Sequence, residues 1–172
     1  MALRKPVDAD DHIEGNIHAA IELVEYGDYQ CPHCQKAYYI VKRWQREFGD
    51  NLKLVFRNFP LENIHPLAKP AAIATEAAAR QGKFWEMHDH LFENHDDFSR
   101  GKLVQFAEEL GLNVTDFSKD LEDPELSAKV DADFYGGMRS GVNATPTFFV
   151  NGEKFEGSWD TGELRDFLQN LI

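Results

Sequence analysis

Apolar and polar residues change rhythm several times along the chain, and each change predicts an element. Ala20 to Tyr26 (AIELVEY) is β-rich and breaks at Gly27-Asp28, which predicts a strand feeding a turn. From Pro32 the period becomes helical. Ala37, Val41, Trp44 and Phe48 fall on one face, and Gly49 follows as a C-terminal stop. Leu52 to Asn58 (LKLVFRN) predicts a second strand. Two strands joined through a helix imply a parallel, right-handed βαβ unit.

From about His65 to Gly141 the pattern is helical throughout. Ala71 to Arg80 is a strong helix former by propensity, and Gly82 is placed to end it. Phe84 to Asn94 brings Phe84, Met87 or His88, Leu91 and Phe92 to one side. Leu103 to Leu110 predicts a further short helix stopped by Gly111, and Pro124 is a first-turn proline for a helix running to about Ser140. Thr147 to Val150, Asn151-Gly152 and Glu153 to Glu156 read as a two-residue hairpin of the kind Asn-Gly favours. Asp160 with Glu163 predicts a capping-box start for a last helix through Leu171. The order is βαβ, helical block, ββα. It is an α/β chain of one domain over residues 1–172, with a helical insertion at about 62–142 and a short N-terminal arm at 1–18. The acidic stretch Asp8 to Glu14 is expected to be solvated.

A chain of 172 residues buries a sizeable core without disulfide staples or a structural metal. Its 18 Lys+Arg against 30 Asp+Glu leave a net charge of −12. That excludes nucleic acid and anionic membrane surfaces as natural partners, since binding them takes basic residues that displace counterions. No apolar run approaches the roughly 20 residues of a membrane span. Met1 to Asn16 has basic residues but no apolar stretch behind them, so it does not read as an export signal. A cytoplasmic location is expected, or a periplasmic one if a signal preceded the sequence as given.

The chain has 2 cysteines, both in Cys31-Pro32-His33-Cys34. A bridge there closes too short a loop to stabilise much, so chemistry is the better reason to keep the pair. Residues i and i+3 on the first turn of a helix share a face and lie within disulfide reach. Cys31 would sit where orphan N–H groups and the helix dipole favour a thiolate, which makes it the nucleophile, with Cys34 one turn inside as the resolving thiol. Pro32 suits the first helical position, and His33 adds a donor beside the thiolate. The competing reading is a non-catalytic, zinc-binding regulatory module. Four-coordinate zinc would need two further Cys or His, and no second Cys-x-x-Cys exists.

Taken with Glu25, Thr145-Pro146 and the element order, this motif resembles the DsbA-like branch of the thioredoxin superfamily, as a member of its cytosolic type. The resemblance runs from about Leu23 to the C-terminus. It implies a thioredoxin fold interrupted by a helical insertion, and the activity of an enzyme, a protein thiol–disulfide oxidoreductase. It also implies no cofactor beyond a redox-active Cys31–Cys34 disulfide, and no metal. Glu25, six residues before Cys31, falls where the superfamily keeps a buried acid; a desolvated carboxylate there would have a raised pKa and could take the proton of Cys34. Thr145-Pro146 falls on the family's cis-proline loop. Thr145 would offer its backbone to an extended substrate and turn its hydroxyl toward the sulfurs.

Expected partners are protein or peptide thiols and disulfides and a recycling redox protein, with the chain itself a monomer. A glutathione-linked transferase or isomerase of the same fold is the alternative enzyme, although such members usually lack the second cysteine. Pro-His between the cysteines resembles the strongly oxidising members. Threonine before the proline resembles the reductases and isomerases, and a cytosolic location points the same way, so the direction of electron flow stays open.

The remaining features read more plainly. Phe56 to Leu61 and His65-Pro66 resemble a stretch of the cytosolic-type members and read as packing and a loop. Met87-His88-Asp89-His90 and His95 read as surface or core-edge histidines rather than a metal site. Phe84, Trp85 and Phe92 read as core.

Overall fold

The computed structural model describes all 172 residues. The elements run β1 (His12–Gly15), β2 (Ile21–Gly27), α1 (Pro32–Phe48), β3 (Leu52–Asn58), α2 (Ala68–Ala79), α3 (Phe84–Glu93), α4 (Arg100–Glu109), α5 (Val114–Asp120), α6 (Pro124–Arg139), β4 (Thr147–Val150), β5 (Glu153–Lys154) and α7 (Glu163–Gln169). The strands form one sheet in the order β1-β3-β2-β4-β5. β2 and β3 are parallel, as a helical crossover requires, and the other pairs are antiparallel. This is a thioredoxin fold with five helices, α2 to α6, inserted between β3 and β4.

Side-chain alternation along the central strands builds the two faces of the sheet. Leu23, Leu54, Phe148 and Val150 pack against Ala37, Val41, Trp44 and Phe48 of α1 and Leu164 and Leu168 of α7. Val24, Tyr26, Val55 and Phe149 face the other way, toward Val142 and Phe134. The insertion has its own core, in which the alanines of α2 meet Phe84, Met87, Leu91 and Phe92 of α3 and Phe106 of α4. Cys31, Cys34, Tyr29 and Phe56 belong to that core, so the insertion forms one wall of the cysteine pair. The hairpin turn has Asn151 at φ 49° and Gly152 at φ 90°, the left-handed pair its sequence predicts.

Two expectations need correction. The acidic segment is a solvated arm only at its start: Asp8 to Asp10 are exposed, whereas His12–Gly15 is an edge strand, registered from His12 against Phe56 to Gly15 against Lys53. Before it, Leu3 N–H bonds the Gly152 carbonyl and Arg4 N–H the Ser140 hydroxyl, so the first residues strap across one face of the sheet. Periodicity misses this strand because it is joined through main-chain bonds and polar contacts, His12 with Glu76, Glu14 with Lys42 and Gln45, and Asp11 with Arg57 just before it, not through alternating apolar residues. Arg57 reaches Asp11 at 2.8 and 2.9 Å, and its remaining N–H groups bond the Tyr26 hydroxyl and the Lys5 and Pro6 carbonyls. The second correction concerns α7. Its N-cap is Gly162 at φ 92°, not Asp160; Asp160 instead accepts from Lys36 and Ser158, while the Glu163 carboxylate accepts from the Ser158 N–H.

The side chains of Arg57 and Asp11 are 3% and 7% exposed, so Asp11→Ala would leave a buried guanidinium without its counter-charge. A loss of about 3–5 kcal/mol is expected, read as a fall in the urea midpoint. A change within about 0.5 kcal/mol would show that the strap contributes nothing to the fold.

Candidate active site

The site lies where β2 ends and α1 begins. Cys31 is the residue capping α1, in extended backbone conformation, with Pro32 as the first helical residue. Its carbonyl accepts the first helical bond, from Gln35 N–H. The turn before it is tied by Asp28. One carboxylate oxygen accepts from the Gln30 and Cys31 N–H groups at 2.7 and 3.1 Å, and the other from Leu61 N–H and His65 Nδ1, both at 2.9 Å. The Asp28 main-chain N–H points at the Cys34 sulfur, 3.4 Å away. Gln30 in turn accepts the Leu67 N–H, which fastens the turn to the start of the insertion.

Both cysteines are free thiols and buried, Cys31 4% exposed at the rim and Cys34 fully enclosed. The Thr145-Pro146 peptide bond is cis, and the Thr145 carbonyl lies 3.8 Å from the Cys31 sulfur. The loop is held from behind by the Thr147 hydroxyl, which donates to the Ala144 carbonyl. Glu25 stands on β2 with its carboxyl buried; its Oε2 has no hydrogen-bond partner, and neither does the buried Thr145 hydroxyl. The fold therefore gathers Cys31, Cys34, Glu25, Thr145 and Pro146, while Pro32 and His33 lie exposed on the outer side of the pair. Gly27 leaves room for this arrangement: a Cβ there would sit 2.6 Å from the Phe56 ring and 3.2 Å from the Glu25 carboxylate.

These surroundings divide the two thiols. The Cys31 pKa is lowered to about 5, first by the hydrogen bond that the Cys34 thiol donates to its thiolate. Burial opposes this, and the nearby Thr145 side chain and the Cys34 and His33 main-chain N–H groups add to it. The contribution of His33 thus comes from its backbone rather than its ring. Cys34 is pushed well above the usual thiol range, by burial first and then by its bond to Cys31 and the nearby Glu25 charge. Glu25 is raised to about 8 by burial, with the Cys31 charge adding to it. At neutral pH the site holds one thiolate, one thiol and one protonated carboxyl.

Of the α3 histidines, His88 is not at the core edge. It is buried among Tyr29, Phe56, Phe84, Trp85 and Phe92, its Nδ1 is 2.8 Å from the Tyr29 hydroxyl, and burial holds its pKa well below the usual imidazole value. No group of three or more His, Cys, Asp or Glu side chains comes together to hold a metal ion, so the zinc reading finds no ligand set beyond the two cysteines. Sequence reasoning missed Asp28 and His65 at the site. An aspartate three residues before a cysteine at a helix start carries a local signal, the side-chain-to-backbone turn that caps such junctions. His65, 37 residues further on, carries none.

Residues 8–170 match a family profile described as thioredoxin. Among curated proteins the chain is similar to the Na(+)/H(+) antiporter NhaA 1 of Mycolicibacterium vanbaalenii, 41% identical over 167 residues, which are 95% of this chain and 27% of that protein. It is likewise 42% identical over 170 residues to the Na(+)/H(+) antiporter NhaA of Herminiimonas arsenicoxydans, covering 98% of this chain and 27% of that one. The chain thus spans about a quarter of the length of these relatives. No helix of the chain is long and apolar enough to cross a membrane. Among solved structures it is similar to a thioredoxin-like oxidoreductase from Silicibacter pomeroyi, with TM-score 0.82, 28% identity, and 95% of this chain and 92% of that one covered. Oxidised BdbD from Bacillus subtilis is similar at TM-score 0.82 and 25% identity, with 92% and 91% covered.

Proposed function

The chain belongs to the thioredoxin family, with a DsbA-like fold, and from that premise we propose that it exchanges disulfides with proteins or peptides through Cys31 and Cys34, preferentially as the oxidant. One observation carries the reading: the two sulfurs are unequal, with Cys31 near the surface and ionised at neutral pH and Cys34 enclosed and protonated. A stabilised thiolate favours the reduced pair, so the disulfide form accepts electrons readily. Ion antiport is not part of the proposal, because the chain spans about a quarter of the proteins that carry that name.

In the oxidising direction a substrate thiolate attacks the Cys31 sulfur of the Cys31–Cys34 disulfide. A mixed disulfide forms at Cys31 and Cys34 leaves as a thiolate, which the protonated Glu25 carboxyl can neutralise. A second substrate thiolate then attacks the substrate's own sulfur, forming its disulfide and releasing Cys31 as the stabilised thiolate. The substrate has lost two electrons and the Cys31–Cys34 pair has gained them. The cis Thr145-Pro146 loop leaves the Thr145 backbone beside Cys31 to align an extended substrate chain.

Equilibration against glutathione tests the direction. The potential is expected nearer the roughly −120 mV of strong oxidants than the roughly −270 mV of thioredoxin. Cys34→Ser should accumulate the mixed disulfide at Cys31 and lose turnover in insulin reduction with dithiothreitol. Absence of both turnover in the wild type and a trapped adduct in the variant would sink the proposal; a potential near the reducing end would reverse its direction.

A further inference from the structure

Asp28 is the hub of the site and its carboxylate is saturated. Its side chain is fully buried and takes four hydrogen bonds from three places in the chain: the turn itself (Gln30 and Cys31 N–H), the loop after β3 (Leu61 N–H), and the His65 ring. Three of these donors are main-chain groups. The fourth belongs to the His65 ring, which is 18% exposed and 2.9 Å from Oδ2. His65 is itself held, its N–H donating to the Leu61 carbonyl at 2.8 Å and its carbonyl accepting from Ala68 N–H at the start of α2.

We propose that His65 is a positioning residue for the Cys31–Cys34 pair, acting through Asp28: its Nδ1–H holds the carboxylate that holds the Cys31 main-chain N–H. The inference rests on the redox reading of that pair. A buried carboxylate next to a thiolate repels it, and each hydrogen bond the carboxylate accepts drains part of that charge. The Asp28 carboxylate is also anchored to the loop after β3, and it shares the Cys31 N–H with the Asp28 main-chain carbonyl, each at 3.1 Å, so its position bears on the turn that presents Cys31. Removing the imidazole donor leaves more uncompensated charge beside the sulfurs and loosens the 3.1 Å Cys31 N–H contact. Both consequences disfavour the Cys31 thiolate. His65 touches no reacting atom, and its whole effect passes through the carboxylate.

Two replacements separate positioning from bulk packing. Asn places an amide nitrogen where Nδ1 stands, whereas Gln places one where Nε2 stands. The readout is the thiolate absorbance of reduced protein titrated with pH, followed by the equilibrium constant with glutathione. For His65→Gln the Cys31 midpoint should rise by about half a unit, a roughly threefold loss of thiolate at pH values below the midpoint, and the glutathione equilibrium should move by a similar factor away from the reduced form. His65→Asn should titrate like wild type. Equal titration of Gln variant and wild type, or an Asn variant shifted as far as the Gln variant, overturns the proposal. Thermal melts show whether each variant is folded; if the Gln variant is not, the Asn variant decides alone, since any shift in its midpoint contradicts the role. Neither readout needs a protein substrate. Loss of insulin turnover with the titration pattern intact would count against the exchange reading, and retained turnover without the pattern against His65.

Discussion

Replacing Cys31 with Ser is expected to abolish disulfide exchange and to cost the reduced protein about 2–3 kcal/mol of stability at pH 7, but almost nothing at pH 4. The functional part follows from the loss of the attacking sulfur. The stability part follows from linkage. A thiol whose pKa falls to about 5 on folding gives up its proton more readily folded than unfolded. Its stabilisation is therefore complete above the unfolded thiol pKa, near 8.5, and disappears as the pH falls through about 5. At pH 7 roughly two units of that interval lie below the working pH, at about 1.4 kcal/mol each. A bridge closing so short a loop adds only about 2 kcal/mol by chain entropy, so reduced wild type should melt at or above the temperature of oxidised protein at pH 7 and fall below it in acid. Thermal melts of reduced wild type, oxidised wild type and Cys31→Ser across pH 4 to 9 check this. A wild-type advantage over Cys31→Ser that does not change with pH would mean that Cys31 is not held as a thiolate.

The parts of the fold that periodicity reveals are those whose stability comes from apolar faces. Ala37, Val41, Trp44 and Phe48 bury one stripe of α1, and Asn151-Gly152 turns the hairpin, so both are visible in the chain itself. β1 is invisible for the converse reason, since Ile13 is its one apolar core contact and its place is set by main-chain pairing and by polar contacts such as Asp11–Arg57 and His12–Glu76. His88 shows a finer limit. The helical period offers either Met87 or His88 to the inner face of α3, and the structure buries both, because the Tyr29 hydroxyl supplies the partner the ring needs. At the site, the cysteine spacing and the helix start suffice to distinguish Cys31 from Cys34. The cis bond and the place of Glu25 come only from the family resemblance. Asp28 joining His65 across 37 residues is a product of tertiary folding, with no local trace.

Glu25→Gln should make the protein more stable at pH 8 and slower as an exchanger, two changes that a merely structural glutamate would not combine. Burial raises the Glu25 pKa to about 8 from an unfolded value near 4.5, so the folded chain keeps a proton that the unfolded chain releases between those limits. The contribution of Glu25 to stability is full below about pH 4.5 and is lost progressively as the pH rises to about 8, a loss of a few kcal/mol. Gln keeps the shape of the protonated acid and never ionises, so the difference between variant and wild type should grow with pH over this window and vanish in acid. The kinetic effect has the same source. Glu25 Oε2 has no hydrogen-bond partner, and its charge raises the Cys34 pKa, which places the carboxyl where it can give a proton to the departing Cys34 or take one from it. Removing an acid–base group so placed slows the proton-coupled step by about 10²-fold or more. The departure of Cys34 as the mixed disulfide forms, and its reverse, resolution by attack of Cys34 on the mixed disulfide, should slow accordingly, while alkylation of Cys31 by iodoacetamide stays close to the wild-type rate. Stopped-flow resolution kinetics and pH-dependent melts test the two halves separately. Wild-type resolution would remove Glu25 from the reaction, and a flat stability difference between pH 5 and 8 would mean that it is ionised throughout that range.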